Sequence, residues 1–376
     1  MAWPPSERLL APLAPWFDAH RRDLPWRATD LDAPHPDPYA VLVSELMLQQ
    51  TQVATVLHYF GRWMARWPDA RSLASASEEE VHKAWEGLGY YRRARLLHAA
   101  AKAVAAQGWP TDLEGLKALP GLGDYTAAAV AAQAFQRPEP ALDGNVFRVA
   151  ARLLGLEEDP KARARELRQW LRPALSAHGP SRMVQGLMEL GATVCAPMPR
   201  CGDCPLAGAC RAKRLDAVER IPPPAKRAAP RESEFTLVAA EAQGRWLVAE
   251  PQGRGLLAGL WRWPAVPPDT TEPGTSRAAE PGSADPAVEA RSFEGWVQVY
   301  THRRERVRPL HLRLPAPFPA PPGFHWVDAA RLAALPMGRR DGRLRELLGT
   351  SLGARPLDLE VARLLLSLRA GGDPGA

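Results

Sequence analysis

The stretch Leu119–Val130, LPGLGDYTAAAV, decides how the chain is read. Pro120, Gly121 and Gly123 punctuate a tight turn, and Thr126 with a run of small residues opens a helix. Two glycines permit close backbone approach, and the helix N-terminus offers unpaired N–H groups at the positive end of its dipole. Together these make a phosphate-binding device whose contacts are Gly121, Gly123 and Thr126. An ordinary helix–turn–helix corner has the same pattern, so the motif needs company.

Outward from this turn, residues 6–210 read as helices with short connections. SELMLQQTQVATVLHYFGRWMARW, SEEEVHKAWEGL, RARLLHAAAKAVAAQ and YTAAAVAAQAF carry apolar residues at helical spacing. Ser77 with Glu80 forms a capping-box pattern ahead of one of them. The segment 211–231 changes character. It holds seven Lys or Arg, two acids and four prolines without an apolar period, and reads as an extended basic linker. Beyond it, EFTLVAAEAQGRWLVAE and WVQVYTHRRERVRPLHLRL alternate like strands. WVDAARLAALP and GRLRELLGTSL read as short helices, and residues 264–292 as a long surface loop.

The 376 residues suggest two or three domains. A hydrophobic content of 46% with 24% charged residues is that of a soluble globular protein, and no apolar run reaches 18 residues, so no membrane span is expected. The N-terminus lacks the pattern of a secretory signal, which makes the cytoplasm the expected compartment. A formal charge of +6 permits a polyanionic partner without requiring one. All four cysteines fall in CAPMPRCGDCPLAGAC, at Cys195, Cys201, Cys204 and Cys210. Disulfides are rare in reducing compartments, so a metal is favoured. Spacing alone leaves zinc and iron–sulfur open, since both use four thiolates.

Taken in order, SELMLQQTQV (44–53), GLGYYRRAR (87–95), the hairpin, LDGNVFRVAARLLG (142–155) and the cysteine loop resemble the helix–hairpin–helix DNA glycosylases that carry an iron–sulfur cluster. The likeness covers about residues 15–215. Bifunctional members, such as endonuclease III, place a lysine two residues after the second glycine, where its amine forms an imine with the sugar. Here that residue is Tyr125, a phenol that forms no imine. Tyr125, the SELMLQQTQV stretch and the additional C-terminal domain resemble the MutY-type adenine DNA glycosylases.

The resemblance implies a multidomain protein. An all-α helix–hairpin–helix glycosylase region with a 4Fe–4S loop spans 1–215, and a basic linker follows at 216–232. An α+β Nudix-like domain spans 233–350, and a tail 351–376. It implies a monomer that binds double-stranded DNA containing A·8-oxoguanine or A·G mispairs, at the nucleoid of a bacterium. It implies that Glu45 is the general acid protonating adenine at N7, where apolar neighbours keep it protonated. Asp143 would stabilise the oxocarbenium-like sugar, with Asn145 orienting the site and Tyr125 sitting beside Asp143 to position it. Read without the family, Glu45 shares a polar helix face with Gln49 and Gln52, and Asp143 is a helix N-cap. Tyr90 matches a wedge beside 8-oxoguanine, and Gln49 and Gln50 match residues near the vacated stack. Trp26, Arg27 and Glu189 match the adenine pocket. All four cysteines would ligate the cluster, although five residues separate the first two where the family usually has six. GLWRWP (259–264) resembles a Nudix turn, yet no Nudix hydrolase box follows it. Tyr300, Thr301 and His302 match the family's Phe-Ser-His reading loop for 8-oxoguanine. Three competing readings are a damage binder or redox sensor built on the cysteine loop, a Nudix-type nucleotide hydrolase, and an endonuclease III-like lyase.

Overall fold

The computed structural model describes residues 3–224, 229–266 and 288–349. Most of the loop expected at 264–292 and the tail expected at 351–376 lie outside the described residues. The chain divides into two compact units. The first contains residues 1–76 and 93–226, the second residues 77–92 and 227–376.

The first unit is helical. Its centre is two helices that are apolar nearly all round, as helices buried on every side must be. Pro38–Leu48 starts at Asp37, whose side chain accepts from the Tyr39 amide, and Pro38 fits the first turn, where no N–H partner is needed. Asp124–Phe135 is built largely from alanine, and each residue from Thr126 to Ala134 is buried. Around them pack Leu13–His20, Gly144–Leu154, Ala164–His178 and Pro180–Thr193, joined in a core that includes Leu13, Val146, Val149, Leu171 and Leu187. Gly186 lies under Leu13 and Phe17, and a Cβ on Gly191 would come within 2.5 Å of the Asn145 Cβ. At Gly191, helix approach this close requires glycine.

The stretch after Glu45 is not one long helix. Pro38–Leu48 ends before Gln49, Gln50 turns into the left-handed region (φ 58°), and Val53–Arg66 begins afresh. The polar face expected for Glu45, Gln49 and Gln52 therefore does not form. Arg93 replaces helical continuation. Its Nη1 donates to the carbonyls of Leu46, Met47 and Gln49 (2.8, 2.8 and 2.5 Å), placing a cation at the negative end of the helix dipole.

In the hairpin, Leu113–Ala118 leads into the turn and Asp124–Phe135 leaves it. Only Gly121 needs glycine for its backbone. Its φ is 81°, and a Cβ there would sit 2.5 Å from the Leu96 Cβ. Gly123 is extended, and a Cβ there would meet open space. Gly121→Ala is expected to lower stability by about 1–3 kcal/mol through left-handed strain and the clash. Gly123→Ala should leave the melting temperature unchanged and weaken duplex binding by crowding the helix N-terminus. Thermal melts and fluorescence anisotropy on both variants check this.

The basic stretch expected as a linker at 216–232 is extended only in part. Ala217 and Ile221 are buried in the first unit's core, where the Arg152 Nε donates to the Ile221 carbonyl, and Arg231 and Glu232 already belong to a strand. Its isolated apolar residues carry no period yet each fills a gap. Residues 225–228 lie outside the described part.

Among the described residues, the second unit is built on a seven-stranded mixed sheet. Its strands are β1 (Arg231–Ala242), β2 (Arg245–Ala249), β3 (Ala265–Val266), β4 (Glu289–Ser292), β5 (Trp296–Val299), β6 (Arg303–Leu314) and β7 (Phe324–Asp328). The order is β4-β6-β1-β2-β7, with β3 on β1 and β5 on β6. β1 and β6 run parallel in register from Arg231 with Arg303 to Ala242 with Leu314, and the other pairings are antiparallel. Gln243 and Gly244, both with positive φ, close the β1–β2 hairpin in the two-residue form that matches strand twist. Alternation along β1 sends Val238 and Ala240 to one face and Leu237 and Ala239 to the other. Leu332 and Leu344, from the helices Ala329–Ala334 and Arg339–Leu348, join the second of these cores.

Residues 77–92 complete this unit. Ser77 and Glu80 form the expected capping box at the start of Glu78–Ala84. Glu79 forks onto Arg331 (2.5 and 2.8 Å), Lys83 donates to the carbonyls of Ala333 and Leu335, and Glu86 pairs with Arg345 at 2.9 Å. His82 is buried beneath Gly259 (φ 81°), where any Cβ would meet its ring at 2.5 Å. No helix among the described residues is long and apolar enough to cross a membrane.

Candidate active site

A pocket of about 800 Å³ opens in the first unit at the meeting point of the hairpin, the two central helices and the start of Gly144–Leu154. It gathers Trp26, Arg27, Glu45, Gln49, Gln50, Gly121, Gly123, Tyr125, Thr126, Asp143, Asn145 and Glu189, residues drawn from segments far apart in sequence.

Glu45 is 5% exposed, on a helix with no other acidic or basic side chain. The Tyr125 hydroxyl donates to its Oε2 and the Gln133 Nε2 to its Oε1, each at 2.8 Å. Burial pushes this carboxyl above the ordinary carboxylate range. The two donors and the Arg27 charge pull the other way, and the Asp143 charge reinforces the rise. The rise wins, so Glu45 holds a proton more firmly than a free carboxylic acid.

Asp143 caps its helix as expected. Its Oδ1 accepts from the Val146 amide at 2.7 Å and its Oδ2 from the Asn145 Nδ2 at 3.0 Å. Burial raises this carboxyl too, against the opposing pull of those bonds. Both Asp143 oxygens turn toward their own helix, and the hydroxyl of Tyr125, the residue expected beside Asp143, donates to Glu45 instead. Asp143 reaches Tyr125 only through its charge, which adds to burial in raising the phenol.

Glu189 is held in a fork. Arg22 donates from Nε and Nη2 (2.6 and 2.9 Å) and Arg27 from Nη2 (2.7 Å). Burial pushes Glu189 up, yet the two guanidiniums bring it below the ordinary value, so it stays ionised. Gln49 donates to Thr126 Oγ1 at 3.1 Å, tying the break after Leu48 to the hairpin helix.

Behind the pocket, Arg148 links Asn145 to the cysteine loop. Its Nη2 donates to Asn145 Oδ1 and the Gly191 carbonyl, both at 2.7 Å, and its Nε to the Cys195 carbonyl at 2.8 Å. Buried Arg152 donates to the carbonyls of Ala196 and Pro197. The four cysteines are free thiols, all partly buried. Burial raises the Cys204 thiol to about 11, and Cys195, Cys210 and Cys201 add to the rise, so the four share one electrostatic neighbourhood. Among the described residues no three His, Cys, Asp or Glu form a site for a single metal ion. Four thiols in one neighbourhood can serve either a tetrahedral zinc or an iron–sulfur cluster. Arg200, Arg211, Lys213 and Arg214 around this loop are exposed.

Tyr90 and the residues 300–302 lie in the second unit. Tyr90 is 47% exposed, sits in the left-handed region (φ 48°) and meets Thr301 hydroxyl to hydroxyl. Thr301 and His302 are exposed in the β5–β6 turn. Tyr300 instead turns inward. Burial, then the Glu305 charge, raises its phenol, beside a buried cluster in which Arg340 pairs with Asp341 (3.0 Å) and Glu305 (3.6 Å).

Sequence reading missed Gln133, Arg22, Arg93, Arg148 and Arg152. Gln133 left a faint signal as the only long polar side chain in AAAVAAQAF.

A hairpin between two helices, beside a pocket with two buried carboxyls, one held by Tyr125 and Gln133 and the other capping a helix, defines a class. Residues 43–173 match the family model described as HhH-GPD superfamily base excision DNA repair protein. The first unit's fold is also that of a thermostable thymine-DNA glycosylase, at a TM-score of 0.50 and 24% identity over 56% of this chain and 97% of that one. Within the class, the chain belongs to the adenine DNA glycosylase family. It is 34% identical to the adenine DNA glycosylase of Mus musculus over 84% of this chain and 73% of the relative. It is 37% identical to that of Arabidopsis thaliana over 69% of this chain, and spans about half of that relative's length (48%).

Proposed function

We propose that the protein removes adenine mispaired with 8-oxoguanine or guanine in double-stranded DNA, by hydrolysing the N-glycosidic bond of the flipped base. The carrying observation is the paired carboxyls of one pocket. Adenine leaves poorly as an anion, so the reaction needs a proton on the base and negative charge near the sugar. Glu45, which burial keeps protonated, supplies the proton to N7. Asp143, whose oxygens accept two N–H groups, faces the cationic sugar as a carboxylate. Adenine departs with the proton from Glu45, water adds at the anomeric carbon, and the proton that the water gives up returns to the Glu45 carboxylate. Asn145 orients Asp143, and Tyr125 and Gln133 hold Glu45. Trp26, Arg27 and Glu189 shape the base pocket.

Flipping adenine costs a few kcal/mol of unstacking. Tyr90 is exposed enough to enter the gap, and Gln49 and Gln50 border the pocket near the vacated stack. The hairpin N-terminus, with Gly121, Gly123 and Thr126, takes the phosphate. Tyr125, a phenol, forms no imine, so the enzyme lacks an efficient lyase step.

Cys195, Cys201, Cys204 and Cys210 would hold a 4Fe–4S cluster, which supplies a structural crosslink that shapes the basic loop for the DNA backbone. The second unit is the Nudix-like reader of 8-oxoguanine, with Thr301 and His302 presented in an exposed turn and Tyr300 anchored beneath it.

Gel analysis on an A·8-oxoguanine duplex tests this. Strand breaks at the adenine should be seen only after alkali. Breaks without alkali would indicate a lyase, and none in either lane would refute base removal. Brown protein with about four irons per chain is expected; colourless protein with stoichiometric zinc would overturn the cluster.

A further inference from the structure

The pocket contains a polar side chain whose position says more than that it is satisfied. Gln133 lies in Asp124–Phe135, buried among alanines. Its Nε2 donates to Glu45 Oε1 at 2.8 Å, while Tyr125, a little over two turns earlier on the same helix, donates to Oε2 at the same distance. The two donors hold the carboxyl by both oxygens.

They differ in kind. A phenolic hydroxyl donates or accepts by rotating its hydrogen, whereas an amide N–H only donates. A donor fixed on Oε1 keeps the acid's proton off that oxygen and leaves Oε2 to carry it, where the Tyr125 hydroxyl can turn to accommodate it. When that proton departs, negative charge develops on a carboxyl cut off from water, and the Gln133 N–H already points at it. Donors in place before charge develops need no reorganisation at the moment of reaction.

We propose that Gln133 is a positioning residue that assigns the acidic proton of Glu45 to Oε2 and stabilises the carboxylate left after transfer. This rests on Glu45 acting as the general acid. The charged and titratable groups facing Glu45 are Tyr125 from the same helix as Gln133, Asp143 from the start of Gly144–Leu154, and Arg27 from the turn after Leu24. Asp143 and burial oppose ionisation; Arg27, Tyr125 and Gln133 favour it. Removing Gln133 takes away one of three opposing influences, so Glu45 should hold its proton to higher pH yet donate it less readily.

The test uses full-length protein with Gln133→Leu and Gln133→Met, two apolar side chains that suit a buried helix position. Single-turnover excision from an A·8-oxoguanine duplex is followed against pH. The rate should fall roughly 10–100-fold, duplex affinity should stay within about twofold, and the alkaline limb of the profile should move to higher pH. A packing role alone would lower the rate evenly and leave the limb in place. Wild-type rates in both variants, or a limb that stays put or moves to lower pH, overturn the proposal. Carbon-13 NMR of the Glu45 carboxyl gives a readout apart from catalysis. Its titration should move upward in both variants even if the wild-type chain removes no adenine, an outcome that would refute the function and not the contact.

Discussion

Glu45→Gln is expected to slow adenine release by roughly 10²–10⁴-fold, with mispair binding retained and the protein more stable than wild type at neutral pH. The loss follows from chemistry. An amide has no proton to give at N7, and no second acid bonds to the same pocket donors. Binding survives because glutamine keeps the shape, and Gln133 can turn its amide to offer oxygen to the new N–H group. The stability gain follows from linkage. Burial holds the folded-state pKa of Glu45 above its unfolded value. The favourable contribution of such a group is fully present below the unfolded pKa and is lost as pH rises through the folded one. At neutral pH the folded wild-type chain must hold a proton that the unfolded chain gives up readily, and the amide removes that cost. Melting temperature should rise near pH 7, with the advantage shrinking as pH falls toward the unfolded pKa. Full turnover by the variant would end the assignment of Glu45 as the acid. A lower melting temperature at neutral pH would show that the carboxyl is not under strain.

Asp143→Asn is expected to lower excision by roughly 10²–10³-fold with no loss of stability. Asp143 does two jobs, and this substitution separates them. As an N-cap it accepts from the Val146 amide, and asparagine caps a helix about as well as aspartate. As a charge it faces a sugar that becomes cationic, and asparagine brings none. Asp143→Ala removes both, and should add about 1 kcal/mol of destabilisation to the same catalytic loss. If the asparagine variant melted as early as the alanine variant, the cap would depend on charge; if it kept wild-type rates, the sugar cation would be stabilised by something else.

What the sequence disclosed was what local chemistry writes into a few adjacent residues. The Asp143 cap and the Ser77–Glu80 capping box each depend on neighbours within a turn. The hairpin glycines were legible together, though only Gly121 is required by its backbone. What stayed hidden depends on which elements cross. Tyr125 was expected beside Asp143, yet its hydroxyl meets Glu45, 80 residues earlier, and both Asp143 oxygens serve their own helix. Gln133 looked like one polar interruption in an alanine run until the central helices were placed against each other. The helix break after Leu48 was invisible because Arg93, which secures it, arrives from 44 residues downstream of Gln49.

Residues 77–92 leave the helical region, pack with the sheet and return, so the chain has no single point at which it can be cut into two self-sufficient pieces. Expressed as fragments on either side of residues 225–228, the first would carry a loose arm whose partners, Arg331, Arg345, Gly259 and Thr301, were all on the other. Mixed together, such fragments would reassemble through that arm as a split protein does. In evolution, any exchange of the C-terminal unit would have to bring matching changes in sixteen residues near the start of the chain.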